Sequence, residues 1–449
     1  MKKTILCCFV ILASLVFGIL AYTPFRNAFL KRPPSPTRWA GSMIPWYRVD
    51  AFGAPIQAGF SKKKITPPRF SWLGGRYPCR PALIVHDDLW VKALALKDEK
   101  GGSVIFVSVD TIGLLPDEIE KILSSVQKFD RSKIFISATH THAGPDTLGL
   151  WGPGIGRIPF KTGKDDAYLD FLRQQVHRAI FEATVNLGSG AIRFSRGRIP
   201  RYIASRPNNP ADEDFSVMQV LVKGEYGNNF PVTMVNVGAH PDILNSVYVS
   251  QDFPYYLETY LKVLMNGETM FVPRAIGGME LEDSSGRRPA SLARKFGEEL
   301  AASVYFSLVK YPIVPERAEI TVKTLPICAA IENKNFLFAA KTGVISNFFE
   351  NNTVVVPVSL ITIGPARMVT VPGELFPNIW QCIEPLMEGR PNFCFGLTNG
   401  ELGYILSAED FNSGQHPYHV TMSIGPSFGR QVQETLKTLV SKKYKKRSF

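Results

Sequence analysis

Cysteine is scarce in this 449-residue chain, and what there is follows no metal-binding spacing. Cys7 and Cys8 fall in an apolar N-terminal stretch, while Cys79, Cys328, Cys382 and Cys394 form no CxxC, which argues against a cysteine zinc site. Cys382 and Cys394 are the nearest pair outside that stretch, and a disulfide and buried free thiols both remain open for them. No internal repeat and no low-complexity block is present, which sets aside solenoid and disordered architectures. Zinc-finger, basic-zipper and RNA-binding signatures are missing as well, so the net charge of +12 gives nucleic-acid binding little support.

Much of that charge lies at the two ends, in Lys31, Arg32 and Arg38 and in the closing SKKYKKRSF. Such an end is either a solvated tail or a contact for anionic lipid head groups. The first residues carry two lysines and then an almost unbroken apolar stretch, Ile5 to Tyr22. Its length suits a membrane anchor or a long signal peptide, so the protein is expected to be exported (periplasmic, extracellular or lumenal) and either cleaved or anchored by residues 5–22. The Pro-rich KRPPSPTR (31–38) reads as a stiff spacer. Four segments follow: an anchor or signal (1–24), a spacer (25–50), a globular body (51–435) and a basic tail (436–449).

Length alone suggests two or three domains, yet no linker-like stretch divides the body. Its 45% hydrophobic residues and 30 Phe fit one large core, or a core with an apolar groove. WVKALALKD (90–98) and SVIFVSVDTIGL (103–114) read as strands joined at Gly101-Gly102, PDEIEKILSSVQKF (116–129) as a helix, and KIFISATHTH (133–142) as the next strand. Strand, helix, strand in that order predicts a parallel crossover unit. DDAYLDFLRQQVHRAIFEATVNL (165–187) and ASLARKFGEELAASVYFSLVK (290–310) read as long helices, and 215–240 as two strands about a Gly-Asn turn. The fold class expected is α/β: a single large mixed-sheet domain with flanking helices.

Chain chemistry concentrates where apolar strands stop. His140 and His142 close one strand, and in an extended chain residues two apart share a face. Ordinary polar strand-end residues would look the same. VTMVNVGAHPDIL (232–244) ends a second strand in His240, and MVTVPGELF (368–376) a third in Glu374. Two histidines and a carboxylate make a catalytic zinc set with one position open. Glu374 reads equally as a helix cap, and Tyr404 in TNGELGYIL (398–406) as a core residue. Asp110 is a candidate to orient a ligand imidazole, with Asp87, Asp88, Asp242 and Asp252 in similar loops, where turn-forming is the simpler role.

Taken in order, AGFSKKKITPP, HDDLWVKALAL, VSVDTIGL, SATHTHAGP, VGAHPDIL, VPGELF and TNGELGYI resemble the catalytic domain of the neutral/alkaline (non-lysosomal) ceramidase family, from about residue 58 to 429. The resemblance implies Zn2+ held by His140, His240, Glu374 and Tyr404, with His142 as general base. It also implies an active-site arginine, Arg201 or its rival Arg206, and a second tyrosine, for which Tyr418 and His416 compete. The activity implied is hydrolysis of N-acylsphingosine (ceramide) to sphingoid base and fatty acid. Another amide or ester, and a catalytically idle lipid-binding role, are the alternatives. Two departures stand out. The family's Gly-Asp-Val-Ser-Pro-Asn segment is replaced by AIGGMELEDSSGRR (275–288), and the chain is expected to lack the C-terminal β-sandwich of larger members. The partner implied is a lipid-like amide, with membrane association through the N-terminal segment and basic ends.

Overall fold

The structure is a computed structural model that describes residues 53–441, apart from short stretches at 127–128, 156–157, 200–201, 206–210, 225–227, 245 and 284. The expected anchor, spacer and most of the basic tail lie outside the described residues. Among those described, no helix is long and apolar enough to cross a membrane.

The body is mixed α/β. Eight strands build the main sheet: β1 (Ala54–Lys64), β2 (Trp90–Lys97), β3 (Ser103–Val109), β4 (Ile134–Ala138), β5 (Gly188–Arg198), β6 (Asp214–Lys223), β7 (Asn229–Val237) and β8 (Glu268–Pro273). Their spatial order is β8-β7-β6-β5-β1-β2-β3-β4. β3 and β4 run parallel, as do β7 and β8, and the other pairings are antiparallel. The crossover read at 103–138 is thus present, with helix α1 (Pro116–Ser125) between its strands. Pro at its first turn and Asp117 and Glu118 beside it suit a helix N-terminus, where no amide partner is needed and negative charge is favoured. A second crossover joins β7 to β8 through α3 (Phe253–Met265). The long helices fall at α2 (Asp166–Val185) and α4 (Ser291–Lys310), where the periodicity put them.

A second, four-stranded sheet packs on one face of the first. It comprises β9 (Ile320–Ala330), β10 (Thr353–Ile363), β11 (Ala366–Thr370) and β13 (Asn392–Phe395). Between the sheets lies a core that includes Leu94, Phe106, Phe194, Met270, Met368 and Phe393. Helices α2, α3 and α4 cover the other face of the main sheet. This double covering explains why β3 and β7 are buried along nearly their whole length and mostly apolar instead of alternating. The two ends of the main sheet also meet, because Ser108 Oγ on β3 donates to the Phe271 carbonyl on β8 at 2.7 Å. That closure brings together loops from opposite ends of the sheet.

Cys382 and Cys394 are free. Cys394 is buried on β13, between Asn236 and the second sheet, while Cys382 is exposed on α6 (Pro377–Ile383), so the disulfide left open by the sequence is not formed.

Candidate metal centre

The strand before the paired histidines ends at Ala138, four residues earlier than the sequence suggested. His140 has φ +65, and its N–H donates to the Thr111 carbonyl, so the chain turns away from the sheet. The same-face argument for His140 and His142 therefore fails. They converge because a tight loop folds them together, with the His142 N–H held by the Pro241 carbonyl at 3.0 Å. That bond ties this loop to the one carrying His240.

The three imidazoles come within 4.8 Å of one another through their ring nitrogens. His142 Nε2 is 3.2 Å from His140 Nε2. Glu374 Oε2 is 3.4 Å from His140 Nε2 and 3.0 Å from His240 Nε2. Backbone carbonyls fix the rings. His140 Nδ1 donates to Ile112 at 2.6 Å, and His240 Nδ1 donates to Met279 at 2.7 Å. A carbonyl only accepts, so both Nδ1 atoms carry a proton, and in the neutral rings both Nε2 atoms present lone pairs. Asp110 takes no part in this. It accepts the Trp90 N–H at 2.8 Å, and burial pushes its carboxyl up to about 7 despite the nearby Lys92.

Glu374 opens a two-residue strand, β12 (Glu374–Leu375), paired in parallel with β14 (Tyr404–Ile405), so Glu374 and Tyr404 sit side by side. Burial would raise the Glu374 carboxyl, but His140 and His240 outweigh it and hold it well below the usual range. Burial first, then Glu374, keeps the Tyr404 phenol far above its ordinary value and therefore neutral. Burial, reinforced by His140, His240, Arg76 and Arg80, drives His142 well below an ordinary histidine.

Glu374 Oε2 is buried and makes no hydrogen bond, yet it faces two Nε2 lone pairs. With both rings neutral, three acceptors are aimed at one point, and unpaired buried polar atoms are costly. A metal ion there, or a proton on His240, where Glu374 outweighs burial and raises the pKa, supplies the missing positive charge. The donor set, imidazole nitrogen with carboxylate oxygen, suits zinc. The residues present therefore fit the metal that the resemblance implies.

Two spaces adjoin the cluster. Behind it is a narrow chamber of about 40 Å³, walled by Leu115, Leu148, Trp151, Phe336 and Ile345. In front is an open cleft of about 660 Å³, lined by Arg76, Asp242, Glu280 and Arg288 among others. His142, Tyr404 and Tyr418 border both. The Tyr418 ring packs edge-on to Tyr404 at 6.1 Å, whereas His416 is buried against Phe376 and points toward Asp410. Arg201 and Arg206 lie outside the described residues. Asp87, Asp88 and Asp252 hold turns and caps, and Asp242 pairs with Arg76 and Arg288.

Sequence reading missed Glu401, a buried acid at the chamber wall. Burial and then Glu374 raise its carboxyl well above the usual range, so it stays protonated beside the ionised Glu374. It also missed Gly75, whose φ is +90 and where a Cβ would come within 2.4 Å of His142 Nδ1. Only glycine lets the 74–80 loop lie against that imidazole.

The sequence matches no family model and no curated protein. Among solved structures, the neutral ceramidase from Pseudomonas aeruginosa is similar over 88% of this chain and 75% of its own, with a TM-score of 0.71 and 15% identity. A ceramidase complexed with C2 is similar over 87% and 76%, with a TM-score of 0.69 and 15% identity. The fold of this chain is the neutral ceramidase fold.

Proposed function

We propose that this protein is a zinc-dependent amidohydrolase acting on a lipid-like amide, with ceramide (N-acylsphingosine) as substrate. One observation carries the reading: the buried Glu374 oxygen and the Nε2 lone pairs of His140 and His240 converge without a donor. The shared fold agrees with it. Zinc at that point supplies a Lewis acid for the amide carbonyl and lowers the pKa of water.

The chain's own groups do the rest. Tyr404 completes the ligand set. His142, held unprotonated, takes a proton from the attacking water at Nε2 and returns it to the leaving nitrogen. Tyr418 lies beside Tyr404 and donates its O–H to the oxyanion, with the family's arginine, Arg201 or Arg206, as the charged partner. The apolar chamber receives the acyl carbons next to the carbonyl and keeps bulk water away from them. Export, and anchoring by residues 5–22, would bring the enzyme to a substrate that lives in a bilayer.

The test is zinc content and release of sphingoid base from short-chain ceramide, for the full chain and for His140→Ala. Stoichiometric zinc with release, both lost in the variant, supports the reading. Zinc without release from any amide favours the idle lipid-binding alternative.

A further inference from the structure

The stretch that departs from the family, 275–288, forms one wall of the outer cleft. Met279–Leu281 pairs with Ile203–Ser205 as a short ribbon, and the Met279 carbonyl holds His240. Glu280 and Arg288 from this stretch face Arg76 and Asp242 across the cleft. Arg288 Nη1 donates to Glu280 at 3.1 Å, and its Nη2 pairs closely with Asp242. Arg76 reaches the same Asp242 carboxylate at 3.0 Å, so one acid serves two guanidinium groups.

The arginines are not used up by these pairs. Only Nη2 of Arg76 is engaged, and the side chain is 40% exposed toward the cleft. Arg288 Nε is buried with no hydrogen-bond partner. Beneath them Arg80 donates to the carbonyls of Gly74, His142 and Ser246, with no carboxylate against it. Among the described residues, two guanidinium groups and two carboxylates thus line the cleft, and Arg80, outside that lining, adds a third guanidinium against the His142 carbonyl.

Orientation follows from the two spaces. The leaving nitrogen must face His142, and beyond His142 the open side is the charged cleft, while the apolar chamber lies behind. The cleft also presents Tyr77, Met279, Pro417 and Tyr418, and a long hydrocarbon lying along them would leave the spare Arg76 donors unpaired. A short amine half carrying an anion would instead take up the spare Arg76 donors in charge-assisted hydrogen bonds, with the Nη groups of Arg288 alongside.

We propose that the cleft is an amine-side subsite for a carboxylate, read by Arg76 and Arg288, so that the preferred substrates are N-acyl amino acids. This rests on the zinc amidohydrolase reading above and departs from it in the substrate, an anionic amide in place of ceramide. The reaction stays a hydrolysis: the amide C–N bond breaks and a C–O bond forms at the acyl carbon. Water supplies the new oxygen and the proton that leaves with the amino acid, and nothing is oxidised or reduced.

The test compares N-hexanoylglycine, N-hexanoylethanolamine and N-hexanoylsphingosine on the zinc-loaded full chain, in the wild type, Arg76→Gln and Arg288→Gln. The glycine and ethanolamine amides differ by the anion, and the ratio of their kcat/KM on one preparation does not depend on how much of it is folded. The wild type should prefer the glycine amide by about tenfold or more, and each variant should lose most of that preference. Calorimetry on metal-free protein should show the same order of affinity without turnover. Equal rates for the two amides, or a preference unchanged in both variants, overturns the subsite while the hydrolase reading stands. Preference for the sphingosine amide overturns it in favour of ceramide. No hydrolysis of any of the three, with zinc bound, overturns the hydrolase reading and the subsite with it.

Discussion

The chamber behind the histidines and the cleft in front of them share His142, Tyr404 and Tyr418 as a boundary, yet differ in size, polarity and origin. Chamber walls such as Leu115, Leu148, Phe336 and Ile345 belong to the same packed cluster as the second sheet and its helices. The cleft walls come from short segments, 75–77, 278–288 and 415–419, the first two linked through Asp242, which pairs with Arg76 and Arg288. The half built from core elements is thus constrained by packing, and the half built from loops is where this chain is free to differ from other proteins of the same fold. The 275–288 departure falls in the second half, as that division requires.

The comparison breaks most severely if the boundary itself is removed. Glu374→Gln or His240→Ala should abolish zinc binding, read by elemental analysis, and reduce hydrolysis to background. His142→Ala should cost about 10²–10⁴ in kcat with zinc retained. Zinc lost together with activity would instead make His142 a ligand. All three variants touch the cluster between the chamber and the cleft, and none separates the two spaces.

Ile345→Ala does separate them. It should widen only the chamber and raise the relative kcat/KM for longer acyl groups, about fourfold for each methylene newly accommodated. It should also lower stability by about 2–5 kcal/mol, measured by denaturant unfolding. Gly75→Ala acts on the boundary, since Gly75 lines both spaces: a Cβ strained by φ +90 and set against His142 should cost more than about 1 kcal/mol in denaturant unfolding and slow hydrolysis of short and long acyl groups alike.

The smallest effect concerns what holds the cleft's Asp242 loop. Asp252 caps α3 and accepts the Leu244 N–H, and burial pushes its carboxyl up to about 7. Unfolded, it titrates near 3.9, so between about pH 4 and pH 7 the folded state holds the extra proton. That contribution is complete below about pH 4 and is lost as pH rises through 7. Asp252→Asn should flatten this part of the stability profile, followed as the unfolding midpoint against pH, and leave acyl preference unchanged.

Much of the fold was legible because its signals are local. The helices at 166–185 and 291–310 follow from apolar spacing, and the crossover at 103–138 from strand, helix and strand in series. The second sheet as a separate layer was not, since nothing local tells which sheet a strand such as β9 or β10 joins. Among the site residues, His140, His142, His240 and Glu374 could be picked out because each follows an apolar strand. Glu401, Arg76 and Arg80 could not, because an isolated acid or arginine in a glycine-rich loop has no period to betray its burial.

Sequence alone determined which residue types were available at the ends of which strands, since hydrophobic periodicity and chain breaks are written locally. Only the tertiary structure decided that they meet. The main sheet closes on itself through Ser108 and Phe271, and the left-handed turn at His140 aims an imidazole that an extended strand would have pointed elsewhere. Carbonyls of Ile112 and Met279, groups every residue possesses, then choose the tautomer that leaves Nε2 facing Glu374. Backbone groups carry no sequence signature, so no reading of side chains reveals where they will point.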